Sequence, residues 1–394
     1  TRSCLKSRGL GDVYKRQHLS LPEGTAVDRV RVIPLESVVI PGTHRPAGVG
    51  PAEPGRWSHI GGISPEILDA SSWFPAEPAQ GQREGRMRGR PLVAVKVAPV
   101  AWNPTTGELR LLTRFRVEVT TRPTTPRPGD FQVLRESPEG QRTFDRAFTE
   151  LTGSAKHRWG GAETLRPLVN SGAPFAPTFR PSVDGSPVEM VIITTADQEA
   201  EYQRLADVRT KLGISTVVRD LDWIRSNYPN GVDTEETIRN FIKDAAAKWG
   251  TAWVLLGGDT ELIPIRFGFT NFYGTEDIPT DLYFNDLDGN WNADGDAIFG
   301  EGWVSTELPG DELDLYPDVW VGRMTTNNAV EAQNLVDKTL AYEQSPPLGY
   351  QNDMLMLAEV LFPPNWTEGD PVQFDGAVLA EDVIDSMQVQ HAPV

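Results

Sequence analysis

From residue 188 onward, short apolar runs alternate with helical patterns, and this alternation restricts the chain to an open α/β sheet. Glu189-Met-Val-Ile-Ile-Thr-Thr195 is a near-continuous apolar run, as expected of a strand covered on both faces of a parallel sheet. A helix is predicted over 200–212, stopped by Gly213, and Ile214-Ser-Thr-Val-Val218 reads as a second strand. Asp233 with Glu236 reads as a capping box before a helix reaching about Trp249, with Ile238, Phe241, Ile242 and Ala245 on one face. The strand Ala252-Trp-Val-Leu-Leu256 then delivers Gly257-Gly-Asp259-Thr-Glu261 at its C-terminal end. Val319-Trp-Val-Gly-Arg323 is a further strand end, Asn328 with Glu331 caps a helix to about Tyr342, and residues 353–360 are expected to form another core strand.

The region before residue 121 has a different grammar, β-like with no helical stretch of note. Residues 92–100 and 108–119 are predicted to pair as a β-hairpin around the turn Asn103-Pro-Thr-Thr-Gly107. Phe115, Val117 and Val119 alternate with Arg114, Arg116 and Glu118, so one face of the second strand meets water. The expected organisation is multi-domain: an antiparallel β-sandwich-like region over 18–125, an irregular linker or processing region over 126–187, and an incomplete open α/β domain over 188–394. Residues 1–17 read as the translation of a sequencing adapter and are set aside from fold reasoning. The chain is expected to be truncated at both ends.

The formal net charge is -18, or about -22 without residues 1–17 (32 basic against 54 acidic residues), which argues against a nucleic-acid backbone as partner. No apolar run approaches transmembrane length, and the only cysteine, Cys4, lies in the excluded stretch. The acid-rich surface suits a calcium-replete extracellular setting.

Residues 276–318 hold thirteen Asp and Glu and no Lys, Arg or His. At the centre, Asp286, Asp288, Asn290, Asn292, Asp294 and Asp296, with Glu301 beyond, stand at metal-ligand spacing. Calcium takes six to eight oxygen ligands in a flexible loop, and closely spaced carboxylates, amides and glycines supply them. Counted from Asn290 the spacing approaches that of the helix-loop-helix calcium loop. An Asn in first place, the apolar residue one place late at Ile298 and the lack of flanking helices argue against that fold. The competing reading is an Asx-turn loop with no specific ion. Mutual repulsion of so many carboxylates without a cation favours a calcium-organised loop.

A second concentration of acids, Asp197, Asp220, Asp222, Asp259 and Glu261, falls at or just beyond C-terminal strand ends, where open α/β sheets bind ligands. Loop acids and helix caps would explain most of them. Asp259, after two glycines, and Asp281 are the candidates for a substrate cleft. No G-x-S-x-G turn, phosphate loop, H-E-x-x-H or C-x-x-C is present, and the five histidines are scattered, so no nucleophile and base can be paired.

In combination and order, several motifs resemble the gingipain family of cysteine peptidases, peptidase family C25. They are Val191-Ile-Ile-Thr-Thr195, Leu255-Leu-Gly-Gly-Asp259 with Ile263-Pro264, Pro279-Thr-Asp281-Leu-Tyr283, Asp286-Leu-Asp288-Gly-Asn-Trp291, Asp318-Val-Trp-Val-Gly-Arg323 and Lys338-Thr-Leu-Ala-Tyr-Glu343. The resemblance covers roughly residues 185–394. It implies a secreted or surface endopeptidase made as a zymogen, with a caspase-like α/β domain, structural calcium and protein or peptide substrates. The β-rich region, with its Trp102-Asn-Pro-Thr-Thr-Gly-Glu-Leu109 turn, is similar to the family's propeptide, which acts as an intramolecular inhibitor. The family's catalytic histidine, followed by glycine, and its cysteine are expected downstream; His391-Ala is not that motif. The 394 residues are therefore expected to be inactive, with the calcium loop beside the cleft. The alternative is a non-catalytic, calcium-stabilised surface or secretion-associated protein on the same fold.

Overall fold

The computed structural model describes residues 15–44, 73–125, 131–153, 174–270, 276–301, 311–349, 354–363, 365–372 and 374–391. The chain divides into two compact units, Thr1–Val336 and Asp337–Val394.

In the first unit the β-rich region forms two antiparallel three-stranded sheets. One has β1 (Lys15–Ser20) and β3 (Ala79–Met87) on either side of β4 (Arg90–Val97). The other has β2 (Thr25–Ile40) and β5 (Val100–Trp102) on either side of β6 (Leu109–Pro123). Val27 and Val32 from the second sheet and Val93, Val95 and Val97 from the first share one core, with Val117 and Val119 against it. Strand β1 begins at Lys15, so the last three residues of the stretch set aside as an artefact pair with Val95, Lys96 and Val97; residues 1–14 lie outside the described residues.

The predicted 92–100/108–119 hairpin needs correction. β4 pairs with β1 and β3, and only the three residues of β5 pair with β6. The chain changes sheets at Ala98-Pro99, where proline offers no N–H to continue a ladder.

The stretch read as an irregular linker contains an amphipathic helix, α1 (Pro138–Thr152). Ser137 caps it by accepting from the Gly140 N–H, Pro138 opens it, and Gly153 closes it at φ 66°. Its buried Phe144 and Phe148 pack with Met87 and Leu92 from the β region and with Ala252 and Trp320 from the α/β sheet.

That sheet is parallel, in the order β12 (Trp320–Met324), β9 (Trp253–Gly257), β7 (Met190–Thr194), β8 (Thr216–Asp220). Helices α2 (Glu199–Lys211), α3 (Leu221–Asn227) and α4 (Thr234–Lys248) connect the strands. The predicted cap of α4 is present: Asp233 accepts from the Glu236 N–H at 2.8 Å. Ile238, Phe241, Ile242 and Ala245 are all buried, as their spacing requires. A short hairpin, β10 (Arg266–Thr270) with β11 (Glu276–Thr280), leads into a 3₁₀ turn over Asp281–Phe284 and the acidic loop. Tyr283, Phe284, Leu287 and Trp291 of that loop belong to the main core, so it is anchored by apolar burial rather than draped over the surface. Helix α5 (Ala329–Gln344) follows β12 and runs across the division between the units.

The second unit contains the antiparallel pair β13 (Val360–Phe362) and β14 (Phe374–Asp375) and helix α6 (Gly376–His391). The core strand expected over 353–360 is replaced by the three residues of β13, and Leu355 and Leu357 are each 83 % exposed. An apolar run becomes a core strand only where a ladder partner and a covering layer meet it, and residues 354–359 lie outside any strand.

Candidate functional site

At the C-terminal ends of the parallel strands, Gly257 is a glycine because of a close approach: a Cβ there would stand 2.5 Å from the Tyr202 ring. Tyr202, Gln198 and Thr326, all fully buried, form a chain of hydrogen bonds. Thr326 Oγ1 donates to Gln198 Oε1 at 2.6 Å and accepts from the Tyr202 hydroxyl at 2.9 Å. The Thr326 carbonyl accepts from the N–H of Asp259 at 3.0 Å, which fixes the backbone of that candidate while its side chain stays half-exposed.

Asp281 is held differently. Both of its oxygens face Arg323, at 2.9 Å to Nε and 2.7 Å to the terminal nitrogen. Arg323 also donates to the carbonyls of Gly258 (3.0 Å) and Ile263 (2.7 Å). The pair therefore clamps the loop after β9 to the end of β12. Of the other rim acids, Asp220 caps α3 by accepting from the Trp223 N–H, and Asp197 accepts from Thr195 Oγ1.

The acidic run extends from this rim to the opposite end of the sheet. Asp281 touches the C-terminal end of β12, whereas Asp318 lies just before its first residue, with its N–H on the Asn285 carbonyl at 2.8 Å. The carboxylates sort into two groups. Asp286, Asp288 and Asp314 place oxygens within 4.8 Å of one another, and so do Asp294, Asp296 and Glu301. An antiparallel bridge between Asn290 and Glu312 folds the second arm of the loop back on the first, which brings Asp314 to Asp286 and Asp288. Asn290 and Asn292 serve the turn: Asn290 Oδ1 accepts from the Asn292 N–H, and Asn292 Nδ2 donates to the Asp296 carbonyl. Asp311 closes the second group's loop by accepting from the N–H groups of Ala293, Gly300 and Glu301.

The first group is the more demanding electrostatically. Asp286 and Asp318 are fully buried. Asp286 accepts from the Gly289 N–H at 2.9 Å, and Asp318 Oδ2 accepts from the Leu287 N–H at 2.9 Å. Asp288 Oδ2 and Asp318 Oδ1 are buried with no hydrogen-bond partner. Burial first, and the neighbouring carboxylates Asp288 and Asp286 second, push Asp314 up to about 8. Asp288 is raised well above the usual carboxylate range by burial and by Asp318 and Asp286. Burial also raises Asp286, although the Arg239 guanidinium pulls the other way. Arg239 itself donates to the carbonyls of Tyr283, Asp286 and Gly289. An all-oxygen donor set with orphaned buried carboxylate oxygens fits a hard cation such as calcium.

The β region reaches this group through β3 and the turn that follows it. Arg86 N–H donates to Asp314 Oδ2 at 2.6 Å, and the Arg83 guanidinium donates to the Leu313 carbonyl. Arg88, at the turn, is buried; it pairs with Glu136 at 2.8 Å and donates to the carbonyls of Thr251 (3.0 Å) and Asp318 (2.6 Å). Thr251 and Asp318 both precede strands, so the turn enters at the foot of the sheet. Asp314, Asp318, Arg88 and Arg323 do not stand out by local spacing. The later acids of the run were a signal for the first two, and the motif Asp318-Val-Trp-Val-Gly-Arg323 marked Asp318 and Arg323 through the family resemblance.

No helix among the described residues is long and apolar enough to cross a membrane. A Lys-gingipain of Porphyromonas gingivalis is 22 % identical over 297 residues, which is 75 % of this chain and 14 % of that protein. Gingipain R1 of the same organism is 21 % identical over 277 residues, 70 % of this chain and 22 % of the relative. The chain thus spans between a seventh and a quarter of the length of these two relatives. Among solved structures, the Arg specific cysteine proteinase gingipain R aligns at 21 % identity and a TM-score of 0.34, covering 52 % of this chain and 40 % of that one. Residues 184–391, more than half of the chain, match the family described as Peptidase family C25, and the chain belongs to that family.

Proposed function

We propose that this chain is part of a secreted or surface cysteine endopeptidase zymogen, stabilised by calcium, that hydrolyses peptide bonds in protein or peptide substrates. The observation that carries the reading is the C25 match over 184–391. In such an enzyme a thiolate attacks the scissile carbonyl, a histidine moves the proton to the leaving amine, and N–H donors hold the oxyanion. The Cys/His pair is assigned to sequence outside these residues. Cys4 and the side chain of His391 are not among the described groups, and His18 and His44 sit in the β region.

The chain's own residues then have positioning roles. The Gln198–Tyr202–Thr326 network and the Asp281–Arg323 pair hold the backbone of the rim, where Asp259 is the candidate for lining a substrate cleft. Asp286, Asp288 and Asp314, with Asp318 alongside, would hold calcium at the foot of β12, a strand's length from the rim. Asp294, Asp296 and Glu301 form a second, more exposed candidate. Calcium supplies charge compensation and loop order. The β region is read as the propeptide and intramolecular inhibitor, with Arg88 anchoring it at the foot of the sheet rather than plugging the rim.

The test is a fluorogenic-peptide assay with Arg, Lys and neutral P1 residues on the 394-residue chain and on a chain extended downstream. The extended chain is expected to cleave, in an alkylation-sensitive manner, and the 394-residue chain to be inert. An extended sequence with no His-Gly and no later cysteine would overturn the peptidase reading in favour of a non-catalytic protein on the same fold.

A further inference from the structure

We infer that seating of the β3–β4 hairpin and loading of a divalent cation on Asp286, Asp288 and Asp314 are linked, each strengthening the other. The inference rests on the proposed calcium reading of that group. Asp314 belongs to both structures: its carboxylate lies within 4.8 Å of those of Asp286 and Asp288, and its Oδ2 accepts the Arg86 N–H at 2.6 Å. The residues around it meet the same hairpin. Leu313 accepts from Arg83, and the Tyr316 ring lies so close to Gly85 that a Cβ there would stand 2.5 Å from it and 2.9 Å from Asp314 Oδ2. The hairpin thus rests directly on a ligand-bearing arm of the loop. Independent of the clustering, Asp318 Oδ1 is unpartnered in a fully buried residue whose other oxygen accepts the Asp288 N–H at 3.3 Å.

The sign of the linkage follows from which hairpin atom meets the carboxylate. Competition would be expected if an arginine head took the cation's place on Asp314 Oδ2. The donor to that oxygen is instead a backbone N–H, which leaves further lone pairs for a metal. The Arg86 guanidinium turns back to the Gly89 carbonyl at 3.0 Å; the charges of Arg86 and Arg83 still reach Asp288 and Asp314 and oppose the cation, but neither head occupies the oxygens it would bind. A cation that ties Asp314 to Asp286 and Asp288 orders the same arm the hairpin needs, so whichever arrives first meets part of the ordering cost of the other. Linkage then requires the reciprocal effect to be equal.

The experiment uses the full chain and calcium alone. Calcium is titrated calorimetrically into wild type, Asp288→Asn and Gly85→Ala, and amide exchange over β3–β4 of wild type is followed with calcium and with chelator. Asp288→Asn should remove one calcium event. Gly85→Ala, whose Cβ would stand 2.5 Å from the Tyr316 ring and 2.9 Å from Asp314 Oδ2, wedges the hairpin off that arm and should weaken that event by about fivefold to 150-fold, the usual span of coupling between sites. Calcium should slow exchange at β3–β4. If Asp288→Asn removes the event while Gly85→Ala leaves it unchanged or tighter, or β3–β4 exchange is unaltered or faster with calcium, the linkage is wrong and the calcium reading stands. If wild type shows no event, or Asp288→Asn retains every event, the calcium reading fails and the linkage with it. The exchange arm needs no variant, so poor folding of Gly85→Ala leaves the question decidable.

Discussion

Arg88 combines an unfavourable backbone with a buried charge. Its φ of 52° lies in the left-handed region, which costs an L-residue roughly 1–2 kcal/mol. Its side chain is buried, with the guanidinium 4.7 Å above the Phe144 ring. The strain is tolerated because the same side chain neutralises Glu136 and satisfies two carbonyls at the foot of the sheet. Truncation would leave the Glu136 carboxylate buried without its partner, so Arg88→Ala should destabilise the chain by about 3–5 kcal/mol. Arg88→Gly should lose the same contacts yet recover part of the backbone strain, and so unfold at a higher urea concentration than Arg88→Ala. The reverse order in urea melts would place the strain elsewhere. Arg86-Met-Arg-Gly-Arg90 presents three arginines of equal local standing, and which one is buried depends on residues 163 and 230 positions away. Asp281 is a similar case. The rim position was legible in the sequence, but its commitment to Arg323, 42 residues on, was not.

Helix α1 shows the same limit one level up. Its Ser137-Pro138 start and Gly153 stop are strong local signals, yet its apolar stripe is narrow and most of its surface is charged or polar. What makes it a helix of this fold is Phe144, stacked on Trp320 at 5.3 Å and packed against Met87 and Leu92. Phe144→Ala should therefore cost about 3–5 kcal/mol, as for other fully buried aromatics. A thermal melt that shifts no more than for truncation of Leu212, 66 % exposed, would show that α1 does not join the β region to the sheet. The parallel strands and α4 were legible because an apolar run or a 3.6-residue stripe reports burial locally. The β4–β5 boundary was harder, since adjacent apolar runs do not say which sheet each strand joins. The acidic loop was half legible: closely spaced carboxylates and amides mark the first arm, whereas Asp314 joins it only through the Asn290–Glu312 bridge.

For the molecule as a whole, a net charge of -18 and a buried group of carboxylates should make stability depend on protons and, on the proposed calcium reading, on cations as well. Asp286, Asp288, Asp314 and Asp318 are all raised in the folded chain, chiefly by burial, with Asp314 at about 8. Their unfolded counterparts titrate near 3.9. Between these limits the folded state binds more protons than the unfolded one, so stability in chelator should fall as pH rises from about 4 towards 8. Calcium acts in the opposite direction, because its ligands must be deprotonated. At pH 5 a cation has to displace protons from Asp314 and its neighbours, and it should contribute little. At pH 8 fewer protons remain to be displaced, since Asp314 is about half ionised there, and free calcium at 100 times Kd would add about 2.7 kcal/mol. The expected result is a melting temperature in chelator that declines across pH 5–8, with a calcium-induced rise that widens over the same range. Asp288→Asn should flatten both trends, since it removes one of the repelling charges and one of the ligands. Parallel curves with and without calcium at every pH would mean that the cation sits elsewhere, on exposed acids such as Asp294 and Asp296, and that the buried carboxylates are balanced by protons alone.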